Sequence, residues 1–338
     1  EAWHNDAALI VAGGRVVGIG TVPDGALMTE LDGGIVVPGF IDLQVNGGGG
    51  HLISSGTMVD DLAIVCATHA RFGATSILPT LITDTDETID RVLRAGADAT
   101  RQHVPGFMGL HLEGPHLSPN RKGAHDPDLI RPMTEGDIVR YENARRTVPH
   151  LLITVAAEAA TPIQIARLVA AGIVVSIGHS DASYEMASAA FKAGATMATH
   201  LFNAMSQIGN RNPGLVGAVL DNAHVTAGLI ADGIHVHPAN VRVALAATRH
   251  SARIFLVSDS MSQAGTDLDS FELNGRIVYR HDGALRLENG TLAGADLTID
   301  RAVQIVGTMG VPAEKSLQMA SSYPAAAIGA STRGHLRP

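Results

Sequence analysis

The chain has 338 residues, a formal net charge of −9, 46% hydrophobic residues and only 17% charged ones. That balance describes a well-buried globular protein and excludes a disordered one. The acidic surplus argues against nucleic acid, whose phosphates demand clustered cations. No apolar run reaches the ~20 residues that a bilayer span requires, so no membrane association is expected. The single cysteine, Cys66, rules out an internal disulfide and fits a reducing compartment. Glu1-Ala2-Trp3-His4 carries no basic-then-apolar secretion segment, which makes the cytoplasm the expected location.

Residues 8–37 read as short strands, Leu9–Val11, Arg15–Ile19 and Gly34–Val37, with a Gly13-Gly14 turn between the first two. They predict the N-terminal part of a small β-domain over residues 1–37. From Pro38 onward the rhythm changes. Apolar strands alternate with helical segments at intervals of roughly 20–40 residues, as βα units require. The strand candidates are Ile35–Val45, Ala74–Thr80, Phe107–Leu112, Leu151–Ala156, Ile173–Ile177, Ala195–Thr199, His224–Ile230 and Arg253–Val257. Helices are expected at Asp61–Phe72, where Cys66 reads as a buried structural thiol, and at Asp84–Arg101, Thr134–Arg146, Thr161–Ala171, Ser183–Ala193 and Pro238–Thr248. Asp84 and Thr161 are candidate N-caps, and Gly172 and Gly194 candidate helix ends. Strict alternation predicts the α/β class, a (β/α)8 TIM-type barrel over residues 38–325. No Gly-rich dinucleotide fingerprint follows the first strand, which weighs against a doubly wound sheet. Residues 326–338 are expected to return to the small β-domain, a β-sandwich, and to leave it short or incomplete.

Polar and ionisable residues collect where the strands end: Gln44 and Asn46, Glu113, Glu158, His179, His200, His235 and Asp259. Barrel enzymes place their chemistry at that end. Glu113, His179 and His200 make a two-histidine, one-carboxylate set that suits a divalent transition metal and leaves a coordination position for water. Asp259 has the chemistry of a general base, although spacing alone also allows a helix cap or loop carboxylate. His125, in Arg121-Lys122-Gly123-Ala124-His125, can polarise a carbonyl, or be a surface-loop histidine. Gly47–Gly50 is followed by no Lys-Ser/Thr pair and is not a P-loop. Arg211 and His235 have the chemistry to hold a phosphate, Arg211 equally being a solvated loop residue.

Taken together, Pro38–Gly47, His111-Leu112-Glu113-Gly114-Pro115, Lys122–His125, Gly178-His179-Ser180, Thr199–Met205, Ala231–His235 and Gly290–Gly294 resemble the N-acetylglucosamine-6-phosphate deacetylases of the amidohydrolase superfamily. The motifs occur in that family's order along nearly the whole chain. The resemblance implies one divalent transition metal on Glu113, His179 and His200, zinc first, with iron, manganese or cobalt as alternatives. It implies Asp259 as acid/base, His125 at the carbonyl, and a sugar-phosphate substrate held by Ala124, Asn203, Ala204, Arg211 and His235. The products would be glucosamine 6-phosphate and acetate. It further implies a homodimer in which Arg211 reaches the neighbouring subunit's site. Many amidohydrolases carry His-x-His on the first strand and bridge two metals; Gln44 and Asn46 stand there here, which predicts one tight metal. Ser260 follows Asp259 where the family commonly has alanine. Other amidohydrolase substrates, dihydroorotate-like or acyl-amino acids, and a non-catalytic sugar-phosphate binder are the competing readings.

Overall fold

A computed structural model describes residues 3–247 and 254–337. Eight parallel strands lie side by side in chain order: Phe40–Val45, Ala74–Ile82, Leu110–Glu113, Leu151–Val155, Val174–Ile177, Met197–Ala198, Thr226–Leu229 and Ile254–Leu256. The first and eighth are joined just past their ends. Val45 bridges Ser260, Asp259 N–H donates to Gln44 O at 3.0 Å, and Asn46 N–H to Ser260 O at 2.8 Å. The sheet is therefore a nearly closed barrel with helices between its strands, as expected. Arg253 and Thr248, each at the edge of an expected element, lie outside the described residues.

Local chemistry sets the boundaries. The first barrel strand starts at Phe40 and not at Ile35, and Gly34–Val37 is not a strand. Pro38 offers no N–H to a ladder, and Ile35 is 63% exposed. The third strand starts at Leu110, because Phe107 makes only a single bridge to Ile77. The helix Asp86–Arg101 is capped by Thr85, whose hydroxyl accepts from Thr88 N–H; Asp84 Oδ1 accepts from Thr85 N–H instead. Thr161 caps Pro162–Ala170 as expected, and Gly172 and Gly194, at φ +79° and +110°, follow their helices. Cys66 is buried in Val59–Ala70, and burial pushes its thiol up to about 12.

Three smaller sheets accompany the barrel among the described residues, one of them the short pair Gly47–Gly48 and His51–Leu52. Ala8–Ala12 and Arg15–Gly20 form the expected N-terminal hairpin. Ser322–Ala327 is a helix and residues 328–337 carry no strand, so the described part of the return segment adds none to that hairpin. A four-stranded antiparallel sheet follows the eighth barrel strand, Ser270–Leu273, Arg276–His281, Ala284–Leu287 and Leu292–Ala295, where no strand was expected. Its buried side chains Leu273, Val278, Leu285, Leu287 and Ala293 pack with Met261 against Leu52, Ile82 and Ala124. This insert is thereby fixed over one side of the barrel mouth.

Candidate metal centre and active site

Glu113 closes the third barrel strand, and His179 and His200 follow the fifth and sixth. Glu113 Oε1 lies 3.3 Å from His179 Nε2 and 3.0 Å from His200 Nε2, and the two nitrogens are 3.0 Å apart. Ligands on a tetrahedral ion with bonds of ~2.0–2.1 Å sit ~3.3 Å from one another, so this trio fits a divalent cation with little adjustment. All three are buried. His179 Nδ1–H donates to Arg121 O at 2.8 Å, which leaves Nε2 as a lone-pair donor. His200 Nδ1 is buried without a hydrogen-bond partner among the described residues. Burial alone would raise the Glu113 carboxyl, but hydrogen bonds from His179 and His200 hold it well below its ordinary value. Burial would likewise lower His200, and the Glu113 carboxylate reverses that shift upward.

Asp259, just past the eighth strand, faces this trio across Gln44. The Gln44 amide, 2% exposed, donates from Nε2 to both Glu113 Oε1 (3.0 Å) and Asp259 Oδ1 (3.1 Å). Asn46 Nδ2 donates to the same Asp259 oxygen at 2.7 Å. Asp259 Oδ2 accepts no hydrogen bond from the described residues. Burial, then the Glu113 charge, raises the Asp259 carboxyl from 3.8 to about 6. His125 Nδ1 accepts from Thr83 N–H at 3.3 Å and lies 2.8 Å from Thr83 Oγ1. An accepting Nδ1 places the proton on Nε2, which lies 3.9 Å from Glu113 Oε2. Burial, then the neighbouring His179 charge, holds His125 well below its ordinary value, so the ring is a neutral donor.

The backbone delivering these groups is strained. His179, His200, Phe202, Ala204 and Asp259 have φ of +46°, +30°, +78°, +49° and +52°, in the left-handed region that disfavours side chains. Strand-to-loop turns of that hand tip the side chains inward over the barrel mouth. Gly178 lets the turn before His179 approach its neighbour: a Cβ there would stand 2.7 Å from Thr199 Cβ.

A pocket of about 510 Å³ opens above the trio. It gathers nearly every residue singled out in the sequence: Glu113, Ala124, His125, His179, His200, Asn203, Ala204, His235 and Asp259. His235 Nδ1–H donates to Asp232 Oδ2 at 2.6 Å, leaving Nε2 for the pocket. Three singled-out residues do not line it: Gln44, Arg211 and Glu158. Arg211 is exposed in the turn closed by Gly209 N–H to Asn212 O, and does not line this chain's pocket. Glu158 takes its hydrogen bonds from Ser180 Oγ (2.5 Å) and Asp181 N–H (2.7 Å), so it holds the loop after His179. Gly290–Gly294, singled out only as a motif, also lines the pocket, and sequence reasoning missed the rest of that wall, Ile82, Met261, Leu273 and Arg286. The signal was present: Asn274-Gly275 and Asp282-Gly283, both pairs at positive φ, are strong hairpin turns between alternating segments.

The amidohydrolase family model matches residues 35–338. An N-acetylgalactosamine-6-phosphate deacetylase of Shewanella sp. (strain ANA-3) is 40% identical over 88% of this chain and 75% of the relative. The N-acetylglucosamine-6-phosphate deacetylase of Haemophilus influenzae is 38% identical over 97% of this chain and 87% of its own. The crystal structure of N-acetylglucosamine-6-phosphate deacetylase from Pasteurella multocida superposes with a TM-score of 0.94 at 37% identity, over 98% of this chain and 88% of that one. A barrel with a buried carboxylate–histidine trio at its mouth and this degree of likeness has one reading: the chain belongs to the amidohydrolase family, in the group formed by its amino-sugar-6-phosphate deacetylase relatives.

Proposed function

We propose that this chain hydrolyses N-acetyl-D-glucosamine 6-phosphate to D-glucosamine 6-phosphate and acetate. The observation that carries the reading is the Glu113–His179–His200 trio set against Asp259 Oδ2, which accepts no hydrogen bond from the described residues. A divalent transition metal bound by that trio, zinc first, supplies Lewis acidity and makes water acidic near neutral pH. Asp259 Oδ2 takes the proton from the attacking water and later returns it to the departing amine nitrogen. The amide carbonyl oxygen gains negative charge as water adds, and His125 Nε2–H donates to it. Water and amide are consumed; acetate and the amine are formed.

The substrate is held through Ala124, Asn203, Ala204 and His235 of the same chain. Arg211, exposed and away from its own pocket, comes from the partner of a homodimer in this reading. Among the described residues no helix is long and apolar enough to cross a membrane. The lone buried thiol suits the cytoplasm.

The test measures acetate release from N-acetylglucosamine 6-phosphate alongside metal content of the purified protein. N-acetylgalactosamine 6-phosphate is run beside it, because the Shewanella relative is named for that epimer. About one metal per chain with turnover of the glucosamine derivative is expected. A metal-replete protein that hydrolyses neither sugar sinks the proposal, and turnover of the galactosamine epimer alone replaces the substrate.

A further inference from the structure

A phosphorylated sugar brings close to two negative charges, so the cations that line the pocket decide how it is held. Two arginines of this chain do so, Arg121 and Arg286. The fork of Arg121 is occupied: Nε and Nη2 both bind Asp181 Oδ1, each at 2.8 Å. Arg286 differs. It projects from Ala284–Leu287, in the insert over the barrel mouth, and is exposed. Its Nη1 donates to Gly290 O at 2.9 Å, and it forms no ion pair among the described residues. Gly290 itself lines the pocket, so this bond pins the guanidinium against the wall. The remaining edge, Nε–H beside Nη2–H, is the pair of parallel donors that matches two oxygens of one phosphate.

Position supports the same end. The acetamide nitrogen on C2 must reach the floor beside Glu113, His179 and His200, and the 6-phosphate leaves the opposite side of the pyranose ring. The phosphate therefore lies toward the mouth, where Arg286 is exposed.

We infer that Arg286 is a substrate-positioning residue, an own-chain anion clamp for the 6-phosphate on the insert wall. The inference rests on the sugar-phosphate reading given above. It makes phosphate recognition partly intrinsic to each subunit, whatever Arg211 contributes across an interface.

The test compares wild type with Arg286→Ala and Arg286→Lys on N-acetylglucosamine 6-phosphate and on unphosphorylated N-acetylglucosamine. Arg286→Ala should raise KM for the phosphorylated sugar about tenfold or more, since a charge-assisted contact contributes ~1.5–3 kcal/mol. Its kcat and its slow turnover of the unphosphorylated sugar should change less than about twofold. Arg286→Lys should recover only part of the KM, because an ammonium cannot replace the fork. Calorimetric binding of glucose 6-phosphate, which has no acetamide to hydrolyse, gives a second readout independent of turnover. It should weaken by the same factor in Arg286→Ala. A wild type that binds glucose 6-phosphate but turns over neither amide fails the deacetylase reading and leaves the clamp standing. Unchanged KM and unchanged glucose 6-phosphate binding in Arg286→Ala, with wild-type melting behaviour, overturn the clamp; so do equal losses on both sugars.

Discussion

Gln44→Leu isolates the group that joins the two carboxylates of the site. Leucine keeps nearly the same volume at this 2% exposed position but removes the amide that donates to Glu113 at 3.0 Å and to Asp259 at 3.1 Å. Each lost contact is a charge-assisted bond to a buried carboxylate, worth ~1.5–3 kcal/mol. Asp259 keeps the 2.7 Å bond from Asn46, so its position loosens without being lost. If that energy falls on the base during proton transfer, kcat drops ~10- to 150-fold. The unbridged Glu113 charge also pushes the Asp259 carboxyl further upward, in the direction already set by burial and by Glu113. The acid limb of the pH–rate profile should therefore move to higher pH. No ligand of the trio is removed, so metal content stays at that of wild type. His179→Ala, which removes a ligand, should lose the tight metal. The assay is kcat, KM and elemental analysis on all three proteins. Wild-type kcat in Gln44→Leu, or metal loss as complete as in His179→Ala, would refute the reasoning.

Asp259→Asn keeps an oxygen for the Gln44 and Asn46 donors, so metal and substrate binding should persist while kcat falls ~10²–10⁴-fold; near-normal kcat would falsify the base assignment. Mixing Asp259→Asn with Arg211→Ala under subunit exchange should rebuild one complete site per mixed dimer, because the Arg211→Ala chain keeps Asp259 and borrows a partner's arginine. Activity that never exceeds the average of the two mutants, despite demonstrated exchange, places Arg211 in its own chain's site or in none. Burial raises the Asp42 carboxyl from 3.8 to about 7, against hydrogen bonds from Ser258 and Gln44. The folded state then holds the proton more tightly than the unfolded one, so this stabilisation is complete below about pH 4 and lost as pH rises through 7. The loss amounts to at most about 4 kcal/mol. Asp42→Asn should therefore lose less Tm than wild type between pH 4 and pH 8, and parallel curves would show that Asp42 is not the group titrating.

How much of this was legible depended on whether a residue's role follows from its place along the chain. Glu113, His179, His200 and Asp259 each come directly after an apolar run, and a barrel turns that sequence position into a spatial one. What the sequence could not convey was the hand of the turns. Non-glycine residues at positive φ, as at His179, His200 and Asp259, follow from packing and not from local preference. Arg286 was illegible for another reason. Its value depends on the register of the insert, where Arg286 pairs with Leu292, and on the Gly290 carbonyl that pins it. The Asn-Gly and Asp-Gly turns announced hairpins, yet nothing in their spacing says that the sheet folds over the barrel mouth. Strand ends were poorly read wherever glycine or proline interrupted an apolar run, as at Pro38 and Gly109.

Under the proposed function, the first-strand amides account for how one site keeps a cation-binding trio and a proton carrier apart. A histidine at position 44 would aim a lone pair where Nε2 of Gln44 now donates to Glu113 and Asp259. A second cation could then draw Asp259 in as a ligand, and its carboxylate would be held in coordination instead of moving a proton. Gln44 and Asn46 do the reverse. Their NH2 groups satisfy Asp259 Oδ1 and so fix the carboxylate's plane, while Oδ2 stays open toward the pocket. An amide nitrogen offers a metal no available lone pair, and an amide oxygen such as Asn46 Oδ1, buried without a hydrogen-bond partner among the described residues, is a weak donor for a transition metal. Under the proposed function, the pair Gln44 and Asn46 would bias the mouth toward one tight metal and a free base. In this reading, replacing both by histidine should raise metal content toward two per chain, and it should lower kcat if the second ion captures Asp259.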